Sequence, residues 1–106
     1  MSNIDRFHDA VEAAREERGR QVAKFGDQRL PMVHPEHFNR AAFLAAELEA
    51  KRICDRNTQA GKLDWFVILT EELLEAAAAP DDGALYKELI QLAAVALSAA
   101  ADGARR

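Results

Sequence analysis

Glu71, Glu72 and Glu75, answered after a short break by Glu88 and Gln91, are the residues of this sequence whose types and spacing could do chemistry. On helices, Glu72 and Glu75 stand at i, i+3 on one face, and Glu88 and Gln91 do the same on the next. The break at Pro80-Asp81-Asp82-Gly83 is short enough to force the two helices antiparallel. A hairpin centred between Asp81 and Asp82 sets position 75 beside 88 and 72 beside 91. Four oxygen-bearing side chains then converge. Three carboxylates that close repel one another and take up protons unless a cation sits among them, and a hard cation with all-oxygen ligands is Mg2+, or Mn2+, before zinc. A divalent-metal site formed by Glu72, Glu75, Glu88 and Gln91 is the expectation. Glu-Glu-x-x-Glu alone is a pattern that solvated helices carry by chance. The second i, i+3 pair, the mirror arrangement about the break and an apolar line leading to 72 and 75 favour the metal.

These side chains need helices to position them. Ile4 to about Lys24 is predicted as the first, with Ser2 or Asn3 as cap and Gly26 as stop. Its apolar stripe runs Ile4, Phe7, Val11, Ala14, then Arg18, Gln21 and Phe25. Arg18 and Gln21 thus fall at core positions, either as a snorkelling cation and a satisfied amide or as polar groups aimed into a pocket. After a loop punctuated by Gly26, Pro31 and Pro35, a second helix is expected from Pro35 to about Arg56, with Phe38, Ala41, Leu44, Ala45 and Leu48 inward. One turn on, Lys51 and Asp55 read as an i, i+4 salt bridge. His8, His34 and His37 have no metal-ligand spacing with one another or with Cys54, and read as surface or capping residues.

Asn57 to Lys62 reads as a loop. Asp64 then caps a third helix beginning at Trp65, bracketed by Leu63 and Ile68 as a hydrophobic staple and ending near Ala79 because Pro80 follows. Trp65, Ile68, Glu72, Glu75 and Ala79 form one stripe, so the carboxylates continue a line opened by large apolar side chains, which is a poor design for a solvated face. Phe66, Leu69, Leu73 and Ala77 form a rival stripe. The fourth helix, from Asp82 as cap to about Ala101 with Gly103 past its end, is apolar almost all round and must be covered on most sides. Three other helices in so short a chain scarcely suffice, which points to a homodimer or homotetramer.

Composition agrees with helices. Of the 106 residues, 49% are hydrophobic, mostly through alanine, and 7% aromatic, which suits close helix packing better than a sheet. The expected fold is a single all-α domain over 1–106: four helices, an antiparallel hairpin carrying the metal site, packed in a homo-oligomeric bundle. A net charge of −4 with scattered basic residues disfavours a nucleic-acid partner, and Arg105-Arg106 is too short to change that. The single cysteine, Cys54, fits a reducing cytoplasm. Leu89 to Ala101 is too short an apolar run to span a bilayer, and the charge-studded segment Met1 to Arg20 does not read as a signal peptide, so no membrane partner is expected.

The sequence also resembles a family. Trp65-x-x-Ile68-Leu69-x-Glu71-Glu72-x-x-Glu75, followed by Glu88-Leu89-Ile90-Gln91-Leu92-Ala93-Ala94, looks like the MazG-like members of the all-α nucleoside triphosphate pyrophosphohydrolase superfamily, in which an EExxE helix is answered by an ExxD helix. Upstream, Glu17-Arg18-x-x-Gln21-x-x-Lys24-Phe25-Gly26-Asp27-Gln28 is similar to the ERxxQxxKWGxQ stretch of phage and actinobacterial MazG-like proteins. The resemblance covers most of the chain outside Leu30 to Gly61. It implies magnesium ligands at Glu72, Glu75 and Glu88, with Gln91 at the position usually held by Asp. It also implies hydrolysis of a nucleoside triphosphate to the monophosphate and pyrophosphate. Glu71, adjacent to the ligand pair, is then the expected base or a ligand of a second metal; Arg18, Lys24 and Lys51 are expected phosphate contacts, and Gln21 and Gln28 base or sugar contacts. An amide at 91 keeps an oxygen ligand but removes a charge, which weakens magnesium binding. Two rival readings are an inert helical interaction module and a metal-stabilised structural dimer with no substrate.

Overall fold

Alternating three- and four-residue apolar spacing folds here as expected into helices. The computed structural model describes residues 2–103 and contains four α-helices, one short 3-10 turn and, among the described residues, no strand. Arg105-Arg106 lies outside the described residues. The chain forms two compact units, Met1–Pro31 with Ala96–Arg106, and Met32–Val95.

In the first unit, α1 spans Asn3–Phe25. Ser2 caps it by accepting from the Asp5 N–H at 3.1 Å, and Gly26, at φ 73°, closes it with an N–H bond to Val22 O. The stripe read in the sequence is half-buried at Phe7 and Val11 but exposed at Ile4 and Phe25. Arg18 and Gln21 are exposed too, which corrects their placement at core positions. The second half of α1 carries more charge than apolar surface and satisfies it locally, as in the Arg20–Glu17 pair at 2.7 Å.

The second unit holds the carboxylates. Here the helix expected from Pro35 begins later. His34 Nδ1 accepts from the Glu36 N–H, Pro35–His37 closes as a 3-10 turn, Phe38 is extended, and Asn39 caps α2 by accepting from the Ala42 N–H at 3.1 Å. α2 runs Arg40–Gln59, so Asn57, read as loop, is helical. Gly61, at φ 68°, ends it, and the Lys62 N–H returns to Asn57 O.

The inward face of α2 also differs from the expected one. Phe43, Ala46, Glu47, Ala50, Ile53 and Cys54 are covered, while Phe38, Leu44 and Leu48 are exposed, Leu48 by 51%. The reason lies in α3, Trp65–Ala77, which packs against α2. Small residues at Ala46 and Ala50 let two helix backbones approach closely, and bulky leucines at the same positions would hold them apart. Asp64 caps α3 as expected, accepting from the Val67 N–H at 2.9 Å. The line Trp65, Ile68, Glu72, Glu75, Ala79 is half-buried throughout, while the rival line opens on Phe66, 77% exposed.

α4 spans Asp82–Gly103. Its cap is Asp81 rather than Asp82, since Asp81 Oδ1 accepts from the Ala84 N–H at 2.8 Å and Asp81 O from the Leu85 N–H. Large side chains along it, Tyr86, Leu89 and Ile90, are exposed. By length and composition α4 is apolar enough to cross a membrane, where the shorter run read in the sequence was not. The same test is passed by the core helices of soluble proteins. Every fully buried residue among those described is an alanine: Ala50, Ala76, Ala77, Ala78 and Ala101.

Candidate functional site

The i, i+3 spacing on α3 puts Glu72 and Glu75 on one face, and the first turns of α4 bring Glu88 to them. One carboxylate oxygen from each lies within 4.8 Å of the others. All three residues are half-buried. Glu72 Oε2 and Glu88 Oε2 are buried and have no hydrogen-bond partner. A buried carboxylate oxygen without a donor is costly, and a cation is the group that satisfies several at once.

The electrostatics follow from this crowding. Burial first, then the charges of Glu88 and Glu71, pushes the Glu72 carboxyl above its ordinary range. Glu75 goes further, to about 7, raised by burial, by the Glu72 charge, and by a hydrogen bond with Glu88. A proton on Glu75 does in the metal-free protein what a cation would do: it separates like charges. Three carboxylates with all-oxygen donor chemistry fit a hard divalent ion such as Mg2+ or Mn2+.

Glu71 is half-buried and faces α2. Burial first, then the neighbouring Glu71 carboxylate, raises the Cys54 thiol on α2 above its ordinary range. Lys51, three residues before Cys54, lies close enough to Glu75 and Glu71 for their charges to raise it, behind the larger effect of its hydrogen bond with Glu47. Its ammonium is 3.1 Å from Glu47, so the partner is Glu47 one turn back rather than Asp55 one turn on. The half-buried face of α2 carries Glu47, whereas Asp55 is exposed.

Gln91, one turn beyond Glu88, is exposed. Arg18, Gln21, Lys24 and Gln28 belong to the other compact unit and are exposed. The structure therefore brings together Glu72, Glu75 and Glu88 with Glu71 and Lys51 beside them. It also adds Arg40 and Glu47, which the sequence reading missed. A cavity of about 360 Å3 is lined by Glu75 and Glu88 together with Arg40, Glu47 and Lys51. Lys51 was read in the sequence, but paired with Asp55 rather than with Glu47 one turn back; Arg40 was hidden because the start of α2 was placed too early. A second, almost wholly apolar groove of about 260 Å3 runs between α2 and α3, with Ala46, Ile53, Phe66 and Leu74 in its walls. Compared with family models, curated proteins and solved structures, the chain matches none.

Proposed function

We propose that this chain is a Mg2+-dependent nucleoside triphosphate pyrophosphohydrolase, converting a nucleoside triphosphate and water to the monophosphate and pyrophosphate. The observation that carries the reading is the convergence of Glu72, Glu75 and Glu88, two of them with buried oxygens lacking a donor. The resemblance of Glu71-Glu72-x-x-Glu75 and Glu88-x-x-Gln91 to the MazG-like pattern gives that cluster its chemistry.

Glu72, Glu75 and Glu88 would hold Mg2+, or Mn2+, and Gln91 would offer an amide oxygen from the next turn of α4. When bound, the ion neutralises phosphate oxygens and favours in-line attack by water. The remaining work falls to the chain's own groups. Glu71, beside the Cys54 thiol, accepts the proton of the attacking water. The water oxygen bonds to the α-phosphorus, the bond from that phosphorus to its bridging oxygen breaks, and pyrophosphate leaves with the bond's electrons. Lys51 contributes positive charge on the side of Glu75. Arg18, Lys24, Gln21 and Gln28 are proposed on the resemblance alone as phosphate and base or sugar contacts.

The working form is proposed as a homodimer or homotetramer in a reducing cytoplasm. Exposed Phe66, Tyr86 and Ile90 and a core made of alanines support the oligomer, because large apolar side chains gain by being covered. A second reading, a helical module without turnover, draws support from Gln91, which is neutral and exposed. The experiment that separates them is magnesium-dependent release of pyrophosphate across the common ribo- and deoxyribonucleotides. Release confined to magnesium supports the enzyme; no release with any nucleotide supports the module.

A further inference from the structure

The cavity beside the carboxylates has two kinds of wall. Glu75 and Glu88 supply negative charge, and Arg40, with Lys51, supplies positive charge. Lys51 is already neutralised by Glu47 at 3.1 Å, whereas no carboxylate among the described residues pairs with Arg40. Arg40 is the first residue of α2, set there by the Asn39 cap. A guanidinium in that position has its planar fork of donors available, which is the geometry that phosphate oxygens accept in pairs.

A bare polyphosphate entering this cavity meets Glu75 and Glu88 and is repelled. A ligand with its anion toward Arg40 and its cation toward the carboxylates suits both walls. We infer that the cavity takes a di- or triphosphate as its magnesium chelate, with Arg40 as the side chain that binds the phosphate. This rests on the metal-dependent reading above and adds a substrate-binding residue to it. A cavity of about 360 Å3 is within the range of small-ligand pockets, roughly 300–1,000 Å3.

The test is calorimetric binding to the full chain with inorganic pyrophosphate as probe, using wild type, Arg40→Gln and Arg40→Lys. Mn2+ alone should bind wild type and Arg40→Gln equally. With Mg2+ present, pyrophosphate should bind wild type and bind Arg40→Gln about tenfold more weakly, the size expected for losing a charge-assisted hydrogen bond, with partial recovery in Arg40→Lys. In chelator, pyrophosphate should bind wild type at least about tenfold more weakly than with Mg2+, the carboxylates then being unscreened. Arg40 is exposed, so melting curves of both variants should match wild type. Equal magnesium-pyrophosphate affinity in wild type and Arg40→Gln, with Mn2+ binding intact, overturns the role of Arg40 and leaves the metal reading standing. Equal pyrophosphate affinity with and without Mg2+ overturns the chelate. Failure of Mn2+ to bind wild type overturns this inference and the metal reading together.

Discussion

Glu75 on α3 and Glu88 on α4 each bring a carboxylate oxygen within 4.8 Å of the other. Burial and the crowding of Glu72, Glu75 and Glu88 raise the Glu75 carboxyl to about 7, so it keeps its proton well above the ordinary glutamate range. A divalent cation among these carboxylates would displace that proton, so under the proposed metal reading proton and metal compete for one place.

That competition fixes the pH dependence of stability. A carboxyl whose folded pKa lies above its unfolded value binds more protons when folded, so its contribution is present at low pH and is lost as pH rises. For Glu75 the window runs from the ordinary glutamate range, 4.5, to about 7. The melting temperature of the metal-free protein should therefore fall as pH rises through this window and flatten above it. Saturating Mg2+ should flatten or reverse the slope. Melting curves between pH 5 and 8, in chelator and in Mg2+, decide it; parallel curves would mean that the proton and the cation do not share a site.

Glu72→Ala and Glu75→Ala should each abolish magnesium-dependent turnover while the metal-free fold persists, because each removes a ligand and also relieves carboxylate repulsion. Circular dichroism in chelator should show wild-type helicity. Turnover at the wild-type rate in either variant would move the site away from α3.

Gln91→Asp adds a carboxylate one turn beyond Glu88. It should tighten magnesium binding about tenfold or more, in line with the 10–100-fold effects of metal-site ligands and their supports. It should also lower the metal-free melting temperature, since a further charge is then uncompensated. Magnesium titration beside melting in chelator reads both signs. An unchanged magnesium affinity and an unchanged melting temperature would show that position 91 does not reach the carboxylates.

The carboxylate cluster was legible in the sequence because two simple periodicities meet there. The i, i+3 spacing of Glu72 and Glu75, with Pro80 to stop the helix, leaves little freedom for where Glu88 can come. The cap at Asp64 was legible for a similar reason, and that of α1 was narrowed to Ser2 or Asn3: each is a short polar residue just before an apolar periodic run. The start of α2 was not. Pro35 suits any first turn, and what separates a 3-10 turn from a helix there is the pair of side-chain caps, His34 and Asn39. The inward face of α2 was hidden as well. Leu44 and Leu48 are the more hydrophobic choice, but close approach to α3 selects Ala46 and Ala50, and that is a property of two helices rather than one.

Exposed apolar side chains predict self-association. Phe66 at 77% and Tyr86 at 70% exposure are costly in water, so sedimentation at micromolar concentration should show a dimer or tetramer. Phe66→Glu should shift it toward the monomer if the groove beside Phe66 is part of the contact. A folded wild-type monomer at that concentration would remove the oligomer from the account.

The most direct test of the metal-dependent enzyme is pyrophosphate release from a panel of ribo- and deoxyribonucleoside triphosphates, run with wild type in Mg2+, wild type in chelator, and Glu72→Ala in Mg2+. Release from at least one nucleotide by wild type in Mg2+, and background in the other two arms, is the predicted result. Background release by wild type in Mg2+ with every nucleotide, or equal release in all three arms, would contradict it.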